Sequence, residues 1–252
     1  MSSYEALAER YDCLTEDVDY DRWADYLEAL FQKAGRPVRT VVDLACGTGS
    51  LTLRLAERGY EMIGVDLSED MLAVAADKCS QLSPCPLLLH QNMAALKLHH
   101  PVDAVICCLD SLNYVTRPRQ VQRTFERVWR SLDESGLFVF DVRTPEMLRS
   151  MHGQICLDET EDTYCVWRGE YAQKRRILSY YMDLFCLQKD GSWSRSEEMH
   201  EEYAYELDEL EEWLNQTGFR RIRRYGNLKR CAPKPGEDRI FFAARKESMI
   251  NG

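Results

Sequence analysis

The chain has 252 residues, 45% of them hydrophobic and 29% charged, which suits one buried core with an elaboration. Its formal net charge of −10 makes nucleic acid and anionic membranes unfavourable partners. No segment has the length of a membrane span or the pattern of a signal peptide, so we expect a cytoplasmic protein with no membrane partner, as a monomer or homodimer. The ten cysteines lack C-x-x-C spacing and the five histidines are dispersed, which predicts no metal site.

Helical and strand-like segments alternate through the first part of the chain, residues 1–151. Short runs that are apolar almost throughout are typical of strands buried on both faces, and their alternation with helices predicts a parallel sheet covered on both sides. The predicted helices are 21–31, 50–58, 69–79 and 118–132, and the predicted strands are 39–45, 60–66, 86–90, 102–109 and 136–142.

The pattern changes in a second part, residues 152–206, where polar and apolar residues alternate over 163–171, 177–188 and 194–206. Such alternation, with a hairpin turn at 189–191, predicts an antiparallel β insertion that could form a lid over the substrate. In a third part, residues 207–252, a helix over 208–216 and strands near 219–225 and 239–244 return the chain to the first sheet.

A glycine-rich turn follows the first strand, in the order Asp43, Leu44, Ala45, Cys46, Gly47, Thr48, Gly49. Open parallel sheets bind ligands at such turns, where glycines let the backbone approach a ligand closely. A nicotinamide or flavin oxidoreductase would have a third glycine at position 52, but the chain has Thr52. An ordinary strand-to-helix turn remains the alternative.

Asp66 ends the second strand at the edge of the same crevice. A carboxylate there can accept hydrogen bonds from both hydroxyls of a ribose. Helix capping is the alternative role, but Ser68 already offers a cap to the following helix, so we predict the ribose role for Asp66.

Residues 43–49 and 64–68 resemble the two leading motifs of the class I methyltransferases that use S-adenosylmethionine (SAM). Residues 102–114 resemble the fourth-strand motif of that family, and residues 11–23 resemble the amino-terminal segment of a bacterial subgroup. The resemblance covers nearly the whole chain. It implies an α/β fold, a Rossmann-like doubly wound sheet of seven strands with the last one antiparallel, and an enzyme that converts SAM to S-adenosylhomocysteine.

The resemblance also implies which residues hold SAM. Gly47 and Gly49 would border the methionine moiety of SAM, Asp66 would bind its ribose, and Leu67 and Met93 would flank its adenine. Leu109 would offer a backbone group to the bound cofactor, and Tyr11 and Trp23 would close the pocket. The remaining residues of the predicted site are Asp43, Ala45, Cys46, Met71 and Asn92. Asn92 stands where the family usually has an acidic residue. Its amide oxygen could still accept a hydrogen bond from the adenine, or Asn92 could simply form a turn.

The sequence indicates the methyl acceptor less clearly than the cofactor. The reason is that SAM itself carries the reactive methyl group, so the protein needs no residue that forms a covalent intermediate. Asp110 follows the fourth strand and is our candidate base or substrate-orienting residue, with Asn113 and Tyr114 beside it. A local turn would explain all three residues equally well. His200 and His152 are weaker candidates for proton transfer, and Arg143 could bind a carboxylate.

A small-molecule acceptor is the favoured interpretation, because the acidic balance argues against RNA. An RNA or protein methyltransferase is one alternative, supported only by a basic cluster between residues 220 and 234. A SAM-binding module without catalysis is another.

Overall fold

The structure is a computed structural model that describes residues 12, 15, 17–188 and 190–247. Its helices are α1 (Tyr20–Phe31), α2 (Ser50–Glu57), α3 (Glu69–Cys79), α4 (Pro118–Ser131), α5 (Pro145–Ser150) and α6 (Leu207–Thr217), with a 3-10 turn at Met93–Ala95. Its strands are β1 (Thr40–Leu44), β2 (Glu61–Asp66), β3 (Leu87–His90), β4 (Val102–Cys107), β5 (Leu132–Arg143), β6 (Ile155–Glu159), β7 (Thr163–Ala172), β8 (Ile177–Leu187), β9 (Trp193–Tyr203), β10 (Phe219–Gly226) and β11 (Arg239–Lys246).

Seven strands form the main sheet in the order β10-β11-β5-β4-β1-β2-β3. Strands β1 to β5 are parallel where they pair, and the last strand, β11, lies antiparallel between β5 and β10. One apolar cluster packs α1 and α2 on one face of the sheet, and a second packs α4 and α6 on the other. The predicted doubly wound sheet with an antiparallel last strand is therefore confirmed.

A second, antiparallel sheet has the order β6-β7-β8-β9. Three of its strands were predicted from their alternation, whereas β6 was not. Strand β6 lies at the edge and is exposed along its whole length, so it carries no pattern of buried and exposed residues to detect. Helix α5 is also absent from the sequence prediction, because its six residues are too few for a helical period to appear.

Strand β5 is longer than the predicted strand 136–142 and includes residues 132–135, which precede that strand in the prediction. Its pairing with β4 shifts register at that point, between the pairs that Val102 and Ala104 make. None of the helices in the described ranges is long and apolar enough to cross a membrane.

Candidate functional site

A cleft of about 1530 Å³ lies between the two sheets, at the carboxyl ends of β1, β2, β4 and β5. The predicted cofactor residues Ala45, Gly47, Asp66, Leu67, Met71, Asn92, Met93 and Leu109 all line it. Residues of β6 to β9 line the opposite side. Parallel sheets bind ligands at this end of their strands, so the topology places the cleft where a cofactor is expected.

The turn after β1 bends sharply toward the cleft. Ala45 and Gly47 have φ values of 56° and 55°, in the left-handed region, and a side chain added at Gly47 would meet open space. Gly49 serves packing instead: a Cβ there would lie 2.9 Å from the Cβ of Ala75 in α3, and Gly49 is absent from the cleft lining. Gly49 therefore lies outside the cleft lining, and its lack of a side chain lets the glycine-rich turn pack on α3; its contact with the methionine moiety stays a prediction.

Two other residues of the motif support the turn from beneath rather than line the cleft. Asp43 is buried and accepts a hydrogen bond from the Thr52 hydroxyl at 2.7 Å. Burial raises the pKa of Asp43 to about 7. Cys46 packs toward Gly64, where an added Cβ would lie 3.0 Å from its sulfur. Thr52, which the sequence marked only as a missing glycine, thus holds the buried carboxyl of the motif.

Asp66 presents its carboxylate to the cleft and is itself held by the backbone. One oxygen accepts from the N–H of Gly47 at 2.8 Å and the other from the N–H of Ser68 at 2.9 Å. Ser68 caps α3 through Met71, as predicted from the sequence. Asp66 therefore ties the glycine-rich turn to the start of α3, a structural role that the sequence did not indicate.

Apolar side chains flank this carboxylate. Leu67 is 64% exposed, which is unusual for a leucine, and Met71 and Met93 line the cleft nearby. Asn92 also lines the cleft, and its side-chain oxygen accepts from the N–H of Ala94 at 2.8 Å. Asn92 thus makes the turn contact that was the alternative to adenine recognition.

Two aromatic residues, Tyr11 and Trp23, were expected to close the pocket. Tyr11 lies outside the described residues. Trp23 does not line the cleft: it is buried in the cluster under α1, with its ring 5.2 Å from Phe241 and the guanidinium of Arg239 stacked over it at 5.4 Å. Trp23 therefore lies away from the cleft lining, because the apolar face of α1 turns toward the sheet, and its role in closing the pocket over SAM stays a prediction.

Asp12 fastens the amino-terminal segment to the glycine-rich turn. Its carboxylate accepts from the hydroxyls of Thr48 at 2.7 Å and Ser50 at 3.1 Å, and pairs with the amine of Lys78 at 2.7 Å. Burial opposes its ionisation, but the hydrogen bonds from Lys78 and Thr48 outweigh burial and lower the pKa of Asp12. Residues 15, 17 and 18, which follow Asp12, line the cleft.

Asp110 lines the cleft and is almost fully buried. Its carboxylate pairs with Arg239 at 2.6 Å and Arg143 at 3.0 Å. Burial acts to raise the pKa of Asp110, but the two guanidinium groups outweigh it and hold the pKa below its usual value. A carboxylate held in this way is a weak base, so the structure argues against the predicted catalytic role of Asp110 as a proton acceptor.

Asn113 does not line the cleft in the structure, although the sequence suggested a catalytic role. It is fully buried, donates from its amide to the carbonyl of Tyr203 at 3.0 Å, and accepts from the N–H of Arg143 at 3.1 Å. Its backbone carbonyl also accepts from the N–H of Tyr203 at 2.7 Å. Asn113 therefore joins the end of β9 to the main sheet, which accounts for its amide without any substrate.

Tyr114 does line the cleft, is 41% exposed, and meets the ring of His200 edge to face at 6.1 Å. His200 also lines the cleft, and its Nε2 lies 3.0 Å from the carboxylate of Glu198. His152 instead accepts from the N–H of Tyr171 outside the cleft. Of the two candidate histidines, only His200 reaches the cleft.

Glu202 is a cleft residue that the sequence analysis missed. Its side chain is about 1% exposed, and it lies 3.8 Å from the guanidinium of Arg143. Burial, with a smaller contribution from Asp110, raises the pKa of Glu202 to about 8. The signal was present in the alternation of β9, which puts residues 198, 200 and 202 on one face.

Among the described residues, no group of three or more His, Cys, Asp or Glu side chains could hold a metal ion. The lining of the cleft includes carboxylates, guanidinium groups and aromatic rings.

Known proteins resemble the chain over nearly its full length. Residues 41–136 match a family model described as a methyltransferase domain. YqeM of Bacillus subtilis (strain 168), whose name places it among the methyltransferases, is 33% identical over 249 residues, 98% of each chain. An S-adenosylmethionine-dependent methyltransferase from Clostridium acetobutylicum ATCC 824 has 27% identity and a TM-score of 0.87, over 97% of this chain and 99% of the other.

A third relative matches a shorter stretch. The dTDP-3-amino-3,6-dideoxy-alpha-D-glucopyranose N,N-dimethyltransferase of Streptomyces fradiae is 29% identical over 137 residues, which cover 54% of this chain and 52% of that protein.

Proposed function

Because this chain belongs to the class I SAM-dependent methyltransferases, we propose that it transfers the methyl group of SAM to a small molecule held between the glycine-rich turn and the four-stranded sheet. The observation that carries the proposal is the single cleft that both features line. Its volume of about 1530 Å³ exceeds that of an ordinary ligand pocket, and so leaves room for a second molecule beside the cofactor.

The residues at one end of the cleft suit the cofactor. The carboxylate of Asp66 is placed to accept hydrogen bonds from ribose hydroxyls, since each of its oxygens keeps a free lone pair after binding one backbone N–H. Leu67 and Met93 offer apolar surfaces on which an adenine ring can lie. When bound, SAM supplies a methyl group on a sulfonium, whose carbon–sulfur bond breaks with its electron pair passing to sulfur.

The other end suits a small acceptor. The four-stranded sheet covers the cleft and would exclude water from the reacting atoms, as a lid does. The Streptomyces fradiae relative is named for action on a small amino sugar nucleotide, which supports an acceptor of this size.

The basic cluster does not favour RNA. Arg224 pairs with Asp208 and Glu211, and Lys229 pairs with Glu237. Their charges are therefore largely neutralised within the protein, and less positive charge is left to attract a phosphate backbone than the sequence suggested.

The test is transfer of a labelled methyl group from SAM to three separate fractions of a bacterial extract: small metabolites, RNA and protein. We expect label in the small-metabolite fraction, and SAM binding measurable by calorimetry. Label confined to RNA or protein would support the alternative enzymes. SAM binding without label in any fraction would indicate a binding module.

A further inference from the structure

The wall of the cleft that faces the cofactor residues is one face of the four-stranded sheet. Trp167, Tyr180, Met182, His200 and Glu202 line the cleft from β7, β8 and β9. The pairing of Trp167 with Met182, and of Tyr180 with His200, places these side chains on the same face. This wall combines aromatic rings with one buried carboxyl group.

The carboxyl group of Glu202 has no hydrogen-bond partner for either oxygen among the described residues. Its nearest cation, Arg143, stands 3.8 Å away, beyond hydrogen-bond distance. Buried polar groups in proteins are nearly always paired, and leaving one unpaired is costly. A buried unpaired carboxyl group that lines a ligand cleft therefore indicates a partner on the ligand.

The charges around Glu202 indicate the sign of that partner. The ionisable groups that face it from neighbouring elements or lie beside it on the cleft wall are Asp110, Arg143, Arg239, Tyr180 and His200. Both guanidinium groups are already paired with Asp110, and Arg239 also with Asp141. Arg143 also donates from Nη1 to the hydroxyl of Tyr180 at 2.9 Å. Both cations described near Glu202 are thus paired with other carboxylates, so a positively charged ligand group is favoured as its partner over an anionic one.

The aromatic side chains agree with a cationic ligand. Trp167 and Tyr180 meet edge to face at 6.0 Å, and Tyr114 and His200 do so at 6.1 Å. The indole N–H of Trp167 is taken by Asp158, so the ring offers mainly its faces and edges to the cleft. Faces of aromatic rings attract ammonium groups.

We propose that Glu202 binds the methyl acceptor through an ammonium group and takes one proton from it, which makes the acceptor a primary or secondary amine. The proposal rests on the methyltransferase function above and specifies its substrate class. Ionised Glu202 receives the proton on a carboxylate oxygen, which frees the lone pair of the nitrogen. That lone pair forms the bond to the transferred methyl carbon, as the carbon–sulfur electron pair passes to sulfur.

Burial and the charge of Asp110 raise the pKa of Glu202, so the empty site holds a proton near neutral pH. A bound ammonium group would supply the opposite charge that Glu202 lacks, and so would favour its ionised form. A carboxyl group whose pKa lies close to the working pH is suited to act as a base.

The first experiment labels a small-metabolite extract with methyl-labelled SAM and separates the products on a cation exchanger. We expect the label in the retained, cationic fraction. Label only in neutral or anionic products would overturn the assignment of an amine but leave the methyltransferase function standing. No label at all would count against the function itself, and the two failures are thus distinguishable.

The second experiment compares Glu202→Gln with a matched control, Glu201→Gln, using the cationic fraction as acceptor. Glu201 is the next residue on β9, points away from the cleft lining, and pairs with Arg175 at 3.3 Å. We expect Glu202→Gln to lower kcat/KM for the acceptor by about 100-fold, as loss of a general base does, while SAM affinity by calorimetry stays within about twofold. Glu201→Gln should change neither quantity.

The pH profile separates proton transfer from a structural role. With one acceptor, kcat/KM of the wild type should rise more steeply toward pH 8 than that of Glu202→Gln, because only the wild type gains an ionised base. Parallel profiles, or a fall in SAM affinity as large as the fall in methyl transfer, would overturn the proposal.

Discussion

Two carboxyl groups in the same cleft, Asp110 and Glu202, have opposite electrostatic surroundings. Asp110 lies against two guanidinium groups at 2.6 and 3.0 Å, and its pKa is lowered in spite of burial. Glu202 is equally buried, has no hydrogen bond within the described part of the chain, lies 3.8 Å from one of those guanidinium groups, and has a raised pKa. Burial alone therefore does not decide what a carboxyl group does.

The difference teaches that partners distinguish a structural carboxylate from a reactive one. A carboxylate held between two cations stays ionised and stabilises the packing of β4, β5 and β11. A carboxyl group without partners can change its protonation state near neutral pH and exchange a proton with a ligand. Asp110 follows the recognisable motif and Glu202 does not, so proximity to a motif is the weaker guide.

Replacing Arg239, which pairs with both Asp110 and Asp141, should have the largest effect on stability. Arg239→Met leaves two buried carboxylates with too little positive charge, and we expect a loss of about 3–5 kcal/mol in the free energy of unfolding. Urea denaturation measures this loss. Arg221→Met is the control, because Arg221 is mostly exposed and pairs with Glu247 at the surface, where we expect less than about 1 kcal/mol. Equal losses in the two variants would contradict our account of the cluster.

The pH dependence of stability should distinguish Glu202 from Asp110 without any ligand. The pKa of Glu202 is raised from 4.5 to about 8 on folding, so its contribution to stability is fully present below pH 4.5 and is lost as the pH rises toward 8. Wild-type protein should lose at most about 5 kcal/mol across this window that Glu202→Gln does not lose, because each pKa unit corresponds to about 1.4 kcal/mol.

Asp110→Asn is the comparison for this measurement. Because the pKa of Asp110 is lowered on folding, its contribution is present above its ordinary pKa of 3.8 and is lost only at more acid pH. The difference between wild type and Asp110→Asn should therefore change from pH 5 to 8 only by the smaller part of the Glu202 shift that the charge of Asp110 causes. Urea denaturation at each pH gives all three curves, and the same slope for Glu202→Gln and wild type would refute the raised pKa.

Asp66 is a third carboxylate of the cleft, to be compared with Asp110 and Glu202, and its hydrogen-bond partners are backbone N–H groups. Asp66→Ala should weaken SAM binding by at least about tenfold, since hydrogen bonds to a charged group contribute roughly 1.5–3 kcal/mol each. Asp66→Asn should lose less affinity, because one oxygen acceptor remains. Calorimetric titration measures both variants.

Asp66→Ala should also lower the melting temperature without ligand, because it removes the acceptors for Gly47 and Ser68. The sequence indicated only Ser68 as a cap for the start of α3. The loss of stability on replacing Asp66 is therefore an expectation that comes from the structure. A variant with reduced stability and unchanged SAM affinity would assign Asp66 a purely structural role.

The smallest effect should follow from releasing Asp12. Lys78→Met removes the cation that pairs with Asp12 at 2.7 Å and so loosens the segment whose residues 15, 17 and 18 line the cleft. We expect SAM affinity to fall by about two- to fivefold, or about 0.5–1 kcal/mol. Lys229→Met, which breaks the ion pair with Glu237 in the loop that connects β10 and β11, should leave the affinity for SAM unchanged. Identical affinities for both variants would mean that this contact does not support the site.

Patterns local to the chain predicted most of the fold. Strands β1 to β4 are short and largely apolar runs, and strands β7 to β9 alternate visibly. Strand β6 was missed because none of its residues is buried, so its sequence carries no record of a packed face. The position of Trp23 away from the cleft lining was not predicted, because the sequence shows that α1 has an apolar face but not what that face covers.

The sequence by itself determined the cofactor end of the cleft. Its turn, its carboxylate Asp66 and the apolar residues beside them lie in short strand–turn–helix segments, so neighbours in the chain are also neighbours in space. Only the tertiary structure decided the acceptor end, where Asp110, Arg143, Glu202 and Arg239 come from distant parts of the chain. Whether each carboxyl group there holds a proton depends on burial and on the distance to a guanidinium group, and both exist only once the two sheets have packed together.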